Sequence, residues 1–198
     1  MPASAAARWP TRSHRPTRSH RPTRSHGPTR SFAERMHSYP ARPDSHYEAS
    51  ALIRVLRWSG CGAALVGAAA VGLAYGSLPQ QIPTHFGATG QADAWGPRWN
   101  VWPLLGVWLL LQVLLAFLST KPHVFNYPVS VTKANAQTLY REGERLMVFL
   151  GVAVAVMFAG LTLLLVGAPG FALVSAGFVL LVVASAVGVG RMLRSPRG

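Results

Sequence analysis

The sequence predicts an all-α integral membrane protein with four transmembrane helices, a small extracytoplasmic hairpin loop and a disordered N-terminal leader. Three observations predict it. Four apolar runs, residues 58–78, 101–118, 146–166 and 171–189, contain no charged residue. Each is close to the length at which a helix rising about 1.5 Å per residue crosses a hydrocarbon core of roughly 30 Å. Between the runs, basic residues alternate strong, weak, strong, absent, strong, and the strong end begins with a repetitive basic leader.

The leader comes first in the chain, within a region bounded at residues 1–53. Pro10, Pro16, Pro22 and Pro28 recur every six residues in a Pro-Thr-Arg-Ser-His repeat. Such spacing forbids a continuous helix, and the repeats hold nothing apolar to bury, so disorder is expected. His14, His20 and His26 on such a chain make a weak metal site, and no metal or cofactor is expected. A chain starting at Met36 would keep the same charge asymmetry, so residues 1–35 need not be translated.

The first span is rich in small residues. Ala64, Ala68, Gly72 and Gly76 recur at i+4 on one stripe, a pattern that lets helix backbones approach in lipid. The stripe is expected to face another helix of the chain, with a homo-oligomer contact as the alternative. Cys61 in this span is the chain's single cysteine and reads as a small packing residue. The run is longer than a signal-peptide core, so it is expected to be retained.

The loop after it has unusual local chemistry. Pro79 and Pro83 favour extended chain, and Gly87 and Gly90 supply turns. Thr84 to Phe86 and Ala92 to Trp95 are expected to pair as a hairpin, with His85 and Asp93 bonded across it. Trp95, Trp99 and Trp102 would form an aromatic belt.

The second span is expected to start near Pro97 and to kink at Pro103. Gln112 is its one strongly polar residue and is expected to bond a neighbouring helix. Asn126-Tyr127-Pro128 in the next loop reads as extended chain. Thr132 is a plausible N-cap for a polar helical stretch that runs into the third span. Arg141, Glu142, Glu144 and Arg145 there read as a solvated face. Residues 167–198 hold the fourth span and a basic tail.

Of the 19 Lys and Arg, 11 precede Trp58. The loops after the second and fourth spans are also basic. Cytoplasmic loops hold the excess of Lys and Arg, so both termini are expected inside. Four spans require that the termini share a side, which agrees. The net charge of +13 is thus an orientation signal. It is not read as a nucleic-acid footprint, because the arginines up to Arg42 are not interleaved with aromatic residues at a useful spacing.

The pattern Leu78-Pro79, Ile82-Pro83, His85-Phe86, Gly90, Asp93, Trp95-Gly96 resembles the signature of a bacterial membrane family called domain of unknown function 1648. Asn126-Tyr127-Pro128 with Thr132, Asn135 and Tyr140 resembles the same family's second motif. The resemblance spans residues 54–166. Similar domains form the front of a sporulation-delay immunity protein, which protects a cell from a peptide toxin; this chain lacks that protein's larger second half. The resemblance implies a protein of the bacterial cytoplasmic membrane, with binding or sensing at its outer face and an extracytoplasmic peptide among its candidate ligands.

Catalysis is not expected. His85 and Asp93 are too few for a structural metal site, and no nucleophile stands with a base. No apolar run contains Asp, Glu, Lys, Arg or His, which argues against a pump or coupled transporter. A small permease or membrane enzyme remains one alternative. A structural subunit docking on a membrane partner remains another.

Overall fold

The computed structural model describes residues 42–195. The hexamer repeats and their histidines lie outside the described residues. Four helices dominate: α1 (Ala51–Ala74), α2 (Val101–Ser119), α3 (Ala136–Leu165) and α4 (Phe171–Leu193). All four are long and apolar enough to cross a membrane. Between α1 and α2 lie two strands, β1 (Gln81–Phe86) and β2 (Ala92–Pro97), paired antiparallel.

Helix α1 starts earlier than the apolar run suggests. Ser50 caps it, its hydroxyl accepting from the Ile53 N–H at 3.4 Å. A serine at this position satisfies one of the N–H groups that have no partner in the first turn. Arg54 and Arg57 are therefore helical. Residues 42–50, counted with the leader by composition, are irregular but held against the rest. Arg42 donates to the carbonyls of His123 and Phe125, and Gln137 takes the His46 N–H and gives to the Asp44 carbonyl.

Helix α2 begins at Val101, because Pro97 ends β2 and Arg98–Asn100 form a single 3-10 turn. Pro103 then falls in the first turn of the helix. The first four N–H groups of a helix have no internal acceptor, so a proline there breaks no hydrogen bond and demands no kink. Thr132 is not the N-cap of α3. Asn135 holds that place, and its side-chain oxygen accepts from the Thr132 N–H at 2.8 Å while its amide gives to the Ser130 carbonyl. The polar stretch and the third span are one helix of 30 residues. At about 1.5 Å per residue it is longer than a hydrocarbon core of about 30 Å.

The core lies where α1, α2 and α3 meet. Ala64 and Val71 from α1, Leu105 and Trp108 from α2, and Val154 and Phe158 from α3 are buried together. The Trp108 and Phe158 rings stack at 5.7 Å. Gly67 makes room for them, since a methyl there would lie 2.7 Å from the Trp108 ring. Helix α4 packs chiefly along α3. The turn between them is closed by Gly167 at φ +77°, with the Ala168 N–H bonded to the Leu163 carbonyl. This is the left-handed helix ending that glycine permits.

The stripe that faces inward on α1 differs from the expected one. Gly60, Ala64 and Val71 are buried, with Gly67 against Trp108. Ala64 is common to both stripes and Ala68 packs at the core's margin. Gly72 is exposed near Trp102, and Gly76 has nothing close by among the described residues. The helix turns 100° per residue, so a strict i+4 row drifts off a face that real packing follows with alternating steps of three and four.

Candidate functional site

The β1–β2 ribbon is rooted by Leu78 and Ile82, both buried in the core. Its register pairs Gln81 with Pro97, Ile82 with Gly96, Pro83 with Trp95, His85 with Ala94 and Phe86 with Ala92. The register shifts on either side of His85, which leaves Thr84 and Asp93 without opposite partners. Pro83 lacks the N–H that a regular ladder needs, and bulges of this kind re-aim side chains. Here they bring the Asp93 carboxylate to the His85 ring, with Nδ1 to Oδ1 at 2.5 Å.

At the tip, the Gly90 N–H bonds the Gly87 carbonyl, and Gly90 has φ +80°. A methyl on Gly90 would also lie 2.5 Å from the Phe171 ring, so the tip rests on the start of α4. Gly96 is equally confined, with Asn100 and Thr84 where a side chain would stand. Phe86 is half-buried, and Pro79 and Trp95 are exposed. Trp99 and Trp102 are exposed as well. Trp102 packs at 5.3 Å on Tyr75, which also carries the Arg98 guanidinium over its face. Arg98 donates to the Tyr75 and Leu78 carbonyls, and a cation there suits the negative end of α1.

The second motif lies at the opposite end of the bundle, since α2 runs its whole length between the two. The Tyr127 hydroxyl gives to the Pro122 carbonyl at 2.7 Å, and its ring lies against Tyr140 and Phe125. Gly143 admits it, for a methyl there would lie 2.6 Å from that hydroxyl. Asn126 and Pro128 are exposed beside it. The motif builds a fold around its own loop, and the structure does not join it to His85 and Asp93.

A polar cluster beside this loop escaped the sequence reading. Glu144 turns inward and pairs with Arg57 of α1, with the Tyr47 phenol near the same carboxylate. The reading of Glu144 as part of a solvated face is thereby corrected: the docked arm and α1 cover it. Arg141 stands over the Tyr47 ring. Burial, and then the Glu144 charge, raises the Tyr47 phenol above its ordinary value. Burial, and then Tyr140, does the same for Tyr127. A cavity of about 210 Å³ lies between Tyr47, Ser50, Arg141 and Glu144. The signal that could have found the pair is Arg57, a cation only three residues into α1's second turn.

In the middle of the bundle Gln112 is buried, and its amide gives to the Gly151 carbonyl at 3.1 Å. A methyl on Gly60 would lie 2.0 Å from Gln112 Oε1. Gln112 thus ties α2 to α3 in a space that α1 leaves open. Among the described residues no three His, Cys, Asp or Glu gather as a metal site.

Residues 63–109 match the model of a family described as domain of unknown function (DUF1648), the family whose signature the ribbon resembles. The matched stretch takes in the second half of α1, the ribbon and the first half of α2, and stops before the second motif. Searches of the curated proteins and of the solved structures return no match.

Proposed function

We propose that this multi-pass membrane protein, which carries the DUF1648 match across residues 63–109, binds an extracytoplasmic polypeptide at its β1–β2 ribbon and senses it for the cell. The membrane is the bacterial cytoplasmic membrane, with both termini inside and the ribbon outside. The observation that carries this reading is the exposure of the His85–Asp93 pair, 69% and 53% of the two side chains. An exposed pair contributes about 0–1 kcal/mol, so stability does not account for two register shifts that aim it outward. The ribbon has two strands only, and β2 is exposed along most of its length. An extended peptide can add to such an edge through main-chain hydrogen bonds. Immunity is the case in which that peptide is toxic.

Orientation is tested first. Reporters active only outside the cytoplasm should be silent at Gly198 and active near Gly90; the reverse would end the proposal. Sensing is tested by the transcript profile of a deletion strain. The wild-type gene should restore it, and Asp93→Ala, accumulating to wild-type level, should not. Full restoration by that variant would remove the ribbon from the function.

A further inference from the structure

We infer that the seam between α3 and α4 holds one acyl chain of an anionic phospholipid, with its phosphate on Arg145 and Arg191. A furrow of about 220 Å³ runs along this seam, lined by Phe149, Val152, Leu180, Val183, Ala184 and Val187. Every side chain that lines it is apolar. Phe149 follows Arg145 by four residues and Val187 precedes Arg191 by four, so both arginines share the furrow's face of the helix pair. Side chains on a helix lean toward its N-terminus, which tilts Arg191 back toward the furrow.

The charge at the mouth is unbalanced. Arg145 donates to the Glu142 carboxylate at 2.8 Å, and Arg191 is ion-paired with the same carboxylate at 3.6 Å. Two cations share one anion, and both guanidiniums keep donors free, with 41% and 56% of the side chains exposed. Arg194, one turn on, is exposed too. Arginine presents a planar fork that suits a phosphate. The depth fits as well. From Arg191 to Leu180 the helix rises about 16 Å at 1.5 Å per residue, half of a hydrocarbon core of about 30 Å. The furrow therefore reaches as far as one leaflet, with its cations at the headgroup level. Basic sites between helices at this level recognise anionic headgroups.

The test uses the full chain in nanodiscs of equimolar phosphatidylglycerol and phosphatidylcholine, released into mild detergent for native mass spectrometry. The wild type should retain phosphatidylglycerol in preference. Arg145→Gln with Arg191→Gln should cut that preference by about fivefold per arginine. Ala184→Phe should fill the furrow and lower retention of either lipid. If Ala184→Phe does not accumulate, the exposed arginine pair still decides. Excess inorganic phosphate should not displace the lipid. Equal retention of the two lipids, undiminished retention in the double variant, displacement by phosphate, or a lipid-free dimer covering the seam would each overturn the inference.

Discussion

Arg57 of α1 and Glu144 of α3 form an ion pair with 12% and 6% of their side chains exposed. Each charge is costly to remove from water, and each is tolerable because the other is there. The pair fixes the rotation of α1 against α3 at the end of the bundle where the arm docks.

Removing one partner should therefore be worse than removing both. Glu144→Leu alone should destabilise by about 3–5 kcal/mol, because Arg57 is left buried and unpaired. Arg57→Met with Glu144→Leu should recover much of this. Unfolding in detergent measures both, and equal losses in the single and double variants would contradict the pairing.

Gly60→Ala should cost about 1–3 kcal/mol by overpacking against Gln112. Adding Gln112→Ala should relieve part of that loss, because the obstructing side chain is gone. Strict additivity in a double-mutant cycle would mean that the two positions do not touch.

His85→Ala and Asp93→Ala should each change stability by less than about 1 kcal/mol, as for an exposed pair. Insertion should be normal, and the double variant should be little worse than either single one. A larger loss would mean that the ribbon depends on the pair for its shape.

Stability should fall at high pH. The native state holds the Tyr47 and Tyr127 protons more tightly than the unfolded chain, whose tyrosines titrate near pH 10. Their contribution is complete below about pH 10 and is lost as pH rises beyond it. Melting curves of Tyr47→Phe with Tyr127→Phe should show a shallower decline above that pH than the wild type.

Hydrophobicity alone made the four helices legible, because a run of apolar residues can be satisfied in lipid in only one way. The strand segments were legible too, since Pro83 restricts the backbone to extended chain and Gly87 and Gly90 permit the turn between them. What covers a side chain is a different matter. Glu144 sits in a charged stretch that looks the same whether an arm docks on it or water does. The row of Ala64, Ala68, Gly72 and Gly76 had the right composition and the wrong phase, because phase depends on where α2 and α3 lie. Gln112 stood out by polarity, but its acceptor is a backbone carbonyl, which no side-chain pattern marks.

Only Gly177, Gly188 and Met192 are buried on α4. A methyl at Gly177 would lie 2.6 Å from the Met157 backbone nitrogen, whereas Phe178, Val179 and Val182 are exposed. Mutational drift in this helix should be correspondingly lopsided. Phe178, Val179 and Val182 can exchange freely with other apolar residues, since lipid tails conform to any shape. Gly177 admits no replacement without moving a helix, so this helix is recognised by its neighbour through the side chain it lacks.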